Sequence, residues 1–143
     1  MDTNQMIARM RNQMKSIEAT MLRTMTEAGT DIANEMQKRV PVDTGALKQS
    51  IHSNTTKQGN EIVTTVSCDA TNEDGTQYWE FVEYGTGLYN QKGNGRQTPW
   101  TYADGNGQFH TTSGQQAQPF VRPAVANVVP KLRSKFETEV NVK

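Results

Sequence analysis

Residues 6–40, MIARMRNQMKSIEATMLRTMTEAGTDIANEMQKRV, decide the fold. Ile7, Met10, Met14, Ile17, Met21, Met25, Ala28, Ile32 and Met36 recur at spacings of three and four, the helix period, so one face is apolar along the whole stretch. A helix over residues 3–39 at about 1.5 Å per residue runs roughly 55 Å, longer than an ordinary helix in a chain of this size. Either another subunit covers part of its stripe or the helix breaks near Gly29-Thr30, where glycine costs about 1 kcal/mol relative to alanine. The expectation is a bend there with both halves helical. Val40-Pro41 stops the helix, because a residue before proline is pushed out of the helical region and proline supplies no donor.

Working outward, Asp43 or Thr44 is placed to cap a short helix within residues 43–52, with Ala46, Leu47 and Ile51 on its apolar face. Residues 50–60 are polar and read as a turn. EIVTTVSC, residues 61–68, is β-branched and alternating, which predicts a strand with Ile62, Thr64, Val66 and Cys68 on one face. QYWEFVEYGTG, residues 77–87, predicts a second strand, antiparallel to the first across DATNEDG, giving two strands within residues 61–84. The competing reading is a helical turn over residues 78–82, in which Trp79, Val82 and Glu83 share a side.

Residues 85–118 hold seven of the eleven glycines and are expected to be the flexible part. Within them TPWTYAD and GQFHTTSG flank Asp104-Gly105-Asn106-Gly107, a hairpin signal, with Trp100, Tyr102 and Phe109 available to pack on a neighbour or over the domain's own edge. QPFVRP then leads into a final helix over residues 119–138, with Pro123 suited to a first helical position and Pro130 expected to kink it. The sum is one α+β domain over residues 1–143: a long N-terminal helix and a C-terminal helix packed on a small antiparallel sheet, with a protruding β-hairpin.

Composition bounds the function. Fifteen basic and fifteen acidic side chains cancel, removing any global pull toward nucleic acid or an anionic membrane. A hydrophobic content of 34% is low for a self-sufficient globule and hints that assembly completes the order. The single cysteine, Cys68, has no partner for a disulfide or a metal pair and reads as a small buried strand residue. All seven methionines lie at or before Met36, and at helical spacing such a stripe is a core or subunit-interface face. No apolar run approaches a membrane span or a signal peptide, so the protein is expected to be made and kept in cytoplasm.

Chemistry is sought and not found. His52 and His110 lack a Glu or Cys at ligand spacing, and no nucleophile-elbow pattern is present. GNGRQT and DGNGQ do not open helices after strands and read as turns. Glu80 and Glu83, the one carboxylate pair near aromatics, would point to opposite faces of a strand. Lys131, Arg133 and Lys135 read as a solvated basic face. No catalytic, cofactor-binding or metal residue is assigned.

Three separated pieces carry a resemblance: VPVDTGALKQSI after a long helix, WEFVEYGTG in mid-chain and QPFVRPAV opening the last helix. Together and in this order they resemble the minor tail-component family of long-tailed bacteriophages, also called head-tail joining or tail-completion proteins, and RQTPWTYADGNGQFHTTSG resembles a hairpin insertion of that family. The resemblance implies a structural virion protein of the neck or tail, forming a homo-oligomeric, hexameric ring between head connector and tail tube, with head-connector and tail-terminator or tail-tube proteins as partners. It implies no membrane contact and is compatible with passing contact to packaged DNA. A tail terminator or head-closure ring protein is the alternative. A nucleic-acid-binding module is a further one, resting on the basic last helix alone. Carried over by position, Asp43, Thr44 and Gly45 match the turn after the long helix; Glu83, Gly85 and Thr86 match a strand-end motif; and Pro119, Phe120, Arg122 and Pro123 match the start of the last helix. Trp100 joins them as an assembly candidate on the hairpin. In physical terms Asp43 caps, Gly45 permits close approach, Gly85 allows a positive-φ turn, Phe120 anchors the helix, and Arg122 is placed to pair with Glu83.

Overall fold

The computed structural model describes residues 2–41 and 45–139; Asp43 and Thr44 lie outside them. The elements are α1 (Thr3–Arg39), α2 (Ala46–Gln49), β1 (Ile51–Gln58), β2 (Glu61–Cys68), α3 (Trp79–Tyr84), a 3-10 turn (Gly87–Tyr89), β3 (Trp100–Ala103), β4 (Phe109–Thr112) and α4 (Val121–Glu139). The class is α+β, with two two-stranded sheets, β1-β2 and β3-β4, among the described residues.

The long helix spans its full predicted length without a break at Gly29. Its start is a reciprocal cap: the Gln5 amide donates to Asp2 Oδ1 at 2.7 Å and the Asp2 amide to Gln5 Oε1 at 3.1 Å. Glycine at position 29 serves packing. A Cβ there would stand 2.6 Å from Thr64 Cγ2, so only a bare Cα lets the helix lie this close to the sheet.

The chain sorts into two compact units. The first contains described residues 2–34, 52–67 and 124–139. Its buried side chains, Thr24, Ala28, Ala33, Ala124 and Val128, are mostly small, as close helix packing requires. Thr64 Oγ1 donates to the Met25 carbonyl at 3.2 Å and shares a 2.8 Å hydrogen bond with Thr55, which ties the hairpin to α1. Lys135–Glu27 and Lys57–Glu18 ion pairs add exposed links. The second unit contains described residues 35–41, 45–51 and 68–123, with Met36, Val40, Leu47, Ile51, Cys68, Glu83 and Phe120 buried.

Two predicted assignments change. Residues 51–58 form a strand, not a turn, pairing with 61–68 through Gly59-Asn60. The inward positions of β1 are Ile51, Ser53 and Thr55, so its period of two is carried by burial rather than by apolarity. Residues 79–84 form a helix, not the second strand, and β2 pairs with β1 instead. On α3 Glu83 is buried, Trp79 and Val82 are half-buried, and Glu80 and Phe81 face solvent, which is the helical side-sharing rather than the strand alternation. The short helix shrinks to Ala46–Gln49, and the last helix runs from Val121 with Pro130 inside it.

Candidate functional site

The start of α4 presents a problem that its own sequence cannot solve. The residue before it is Phe120, which has no side-chain acceptor, so the first amides need an acceptor from elsewhere. Glu83, 37 residues upstream and 0% exposed, supplies it. Its Oε2 accepts from the amides of Phe120 and Val121 at 2.7 and 2.8 Å, and its Oε1 from the Arg122 amide at 3.0 Å. The next residue is Pro123, which has no donor, so the first helical turn is fully satisfied. The carboxylate also lies where the helix dipole favours negative charge.

Arg122 completes the node. Its Nε donates to Glu83 Oε1 at 2.8 Å, and its Nη2 donates to the Glu83 carbonyl at 3.0 Å and to Gln91 Oε1 at 2.7 Å. Its guanidinium lies 4.6 Å from the centroid of the Tyr84 ring, and Lys92 Nζ lies 4.3 Å from the same centroid. Burial pushes the Glu83 carboxyl up, yet the hydrogen bonds from Val121, Arg122 and Phe120 outweigh it and hold the group below its ordinary value. Glu83 is therefore a charged, fully satisfied structural carboxylate with no free valence for acid/base work.

Gly85 follows at φ +80, and a Cβ on it would come within 2.9 Å of three backbone atoms. Beyond it two legs of chain are zipped together. The Thr86 amide donates to the Gln115 carbonyl, the Gln115 amide to Thr86 Oγ1, and the Leu88 amide to the Ser113 carbonyl. At that crossing a Cβ on Gly87 would stand 2.1 Å from the Ser113 oxygen, and one on Gly114 would stand 2.0 Å from the Thr86 oxygen. The segment expected to be the flexible part is thus bonded at its root. From it rises the β3-β4 hairpin, antiparallel with Ala103 opposite Phe109, its turn held by Asp104, whose Oδ1 accepts from the Asn106 and Gln108 amides and whose Oδ2 pairs with His110.

Of the residues singled out in the sequence, Glu83, Phe120 and Arg122 meet in one node, the Glu83–Arg122 pair is present, and Gly85 lies against the hairpin root beside Gln115 and Ala117. Thr86 joins the hairpin root. Phe120 is fully buried, Pro119 precedes it, and Pro123 is the third residue of α4 rather than the first. Gly45 sits at φ +68 with only Gln49 Nε2, at 4.0 Å, near its missing Cβ, so it provides a turn and not close approach. Trp100 lies half-buried on β3 with Arg96 over its ring. The cap role of Glu83 has one signal in the sequence, the acceptor-less Pro119-Phe120 before the last helix, which calls for an acceptor from elsewhere without saying which.

The remaining feature is surface. Residues 2–16 are exposed on every face of α1, including Met6 (52%), Ile7 (42%), Met10 (59%) and Met14 (66%). The stripe continues into a groove of about 280 Å³ lined by Met14, Ile17, Met21 and Ile62 with the Glu18–Lys57 pair at its rim. Phe109 stands out from the hairpin. Among the described residues no group of His, Cys, Asp or Glu has the makings of a metal site, and no helix is long and apolar enough to cross a membrane.

A family model described as "HK97-gp10_like: Bacteriophage HK97-gp10, putative tail-component" matches residues 4–85. No curated protein and no solved structure matches the chain.

Proposed function

The chain belongs to the HK97-gp10-like family of bacteriophage tail components, and from that premise we propose that it is a ring-forming subunit of the virion neck, completing the tail or joining it to the head connector. It acts by assembly rather than catalysis. The observation that carries this reading is the apolar stripe of α1 that the chain leaves uncovered. Four large apolar side chains on one fully exposed helical segment are a liability for a solitary protein and are covered once a neighbour packs on them. The exposed Phe109 on a hairpin whose root is firmly bonded gives a second contact point. The neighbours are further copies of this chain in a hexameric ring, stacked between head-connector and tail-tube or tail-terminator proteins.

The test is solution mass by light scattering, for the chain alone and with tail-tube and head-connector proteins. A closed ring, or a monomer that these partners convert to one, supports the neck role. A monomer that binds neither refutes it.

A further inference from the structure

The exposed N-terminal segment of α1 carries one sign of charge. Residues 3–17 include Arg9, Arg11 and Lys15 and no acidic residue, and they interleave with Met6, Ile7, Met10 and Met14. A helix of this length standing alone in water is marginal, so a surface that receives it also stabilises it. The opposite sign is concentrated elsewhere in the same chain. Residues 58–91 hold six acidic residues and no lysine or arginine. Of these, Glu83 is committed to α4, Glu80 shares an ion pair with Lys92, and Glu73 and Asp74 stand exposed on a turn closed by the Asn72 amide donating to the Thr76 carbonyl. Phe81, Leu88 and Tyr89, large and exposed, belong to the same compact unit.

Resting on the ring reading above, we infer that the basic, apolar N-terminal segment of α1 docks on the acidic, apolar surface of the next copy, where Glu73, Asp74, Glu80, Phe81, Leu88 and Tyr89 receive it. Two arms packed side by side would set three positive charges against three, which disfavours an isologous arm pair. Duplex nucleic acid matches the charge but offers nothing to the four apolar side chains. Arm and receptor are different patches, so the contact repeats from copy to copy, as a ring requires. The zero net charge lets copies approach without global repulsion while the segregated charges orient them.

The test uses two charge-reversed full-length chains, R9E/R11E/K15E and E73K/D74K/E80K, followed by sedimentation velocity and light scattering, with circular dichroism to show that each is folded. All six positions are exposed. The wild-type chain is expected to self-associate, more weakly as salt rises. Each reversed chain alone should show its dissociation constant raised about tenfold or more, because like charges then face each other across the contact. An equimolar mixture of the two should assemble again, since each arm now meets a complementary receptor. If both reversed chains assemble as the wild type does, or if the mixture fails to assemble, this docking mode is refuted while the ring reading stands. A loss of duplex-DNA retention by the arm variant with unchanged self-association assigns the arm to nucleic acid instead. A wild-type chain that stays monomeric at every concentration and with its virion partners present refutes both.

Discussion

Replacing Glu83 by glutamine removes one oxygen and one charge from a site that shows no exposure and receives four donors. The amide keeps a single acceptor oxygen and turns an NH2 toward donors, so at least two of the four are left buried without a partner. At about 1.5–3 kcal/mol for each hydrogen bond to a charged group, the loss is roughly 3–6 kcal/mol, a large share of a typical domain's stability of about 5–15 kcal/mol. For a chain of this size that corresponds to a fall in Tm on the order of 10–20 °C. Arg122→Gln is the decisive comparison. It leaves the three amide bonds to Glu83 intact and removes a side chain that is 45% exposed, so screening holds its cost to about 1–2 kcal/mol. Urea unfolding followed by circular dichroism measures both. A Glu83→Gln cost no greater than that of Arg122→Gln would mean that the ion pair, not the helix cap, is what matters, and the reasoning fails. The charge swap Glu83→Arg with Arg122→Glu should not restore stability, because arginine cannot accept from the amides of α4. The sign with pH follows from the depressed carboxyl: its contribution is complete above the unfolded-state value and is lost as pH falls through the folded one, so wild type and Glu83→Gln should converge in acid.

Gly29→Ala should destabilise by about 1–2 kcal/mol through the Thr64 methyl despite the better helix propensity. In a Thr64→Ser background, which keeps the hydroxyl and removes that methyl, the same change should turn neutral or stabilising in thermal melts. Gly87→Ala, with φ +61 and a backbone oxygen in the way, should cost about 2–4 kcal/mol by the same assay, whereas Gly93→Ala, in open space, carries only the conformational cost of its positive φ. Cys68 is buried, and burial together with Asp69 and Glu83 pushes its thiol up to about 11, so it should resist a thiol-selective disulfide reagent at pH 8 in the folded chain and react fully in denaturant.

What the sequence disclosed depended on how loudly each element spoke in apolar residues. The nine apolar positions of α1 repeat for about eight turns, and the four-residue Asp-Gly-Asn-Gly turn announces its hairpin, so both are legible. β1 is silent in that language because its inward side chains are Ile51, Ser53 and Thr55, two of them hydroxyl residues. α3 was misread because WEFVEY has strand composition, while the six residues are helical in a setting where Glu83 must reach the start of α4. That requirement is non-local, set by residues 37 to 39 positions away, and no window of sequence around Glu83 contains it. Nothing in the spacing of the motifs dictates the pairing of Arg122 with Glu83, which joins two of them, and nothing near Glu83 in sequence marks it as the acceptor of the three amide bonds beside it.

The root of the hairpin has one more consequence. Its two legs are joined by main-chain atoms and the Thr86 hydroxyl at a crossing of bare glycines, so the closure does not depend on which side chains lie beyond it. The residues between 96 and 111 are in that sense an interchangeable cassette, because Gln91, which serves Arg122, and Gly95, which packs on the Gly87 oxygen, lie outside it. A longer, shorter or differently decorated loop can be installed there without disturbing the beginning of α4, which is secured from below by Glu83. A tail component would thereby gain a place to vary, while the scaffold that presents the variation stays the same.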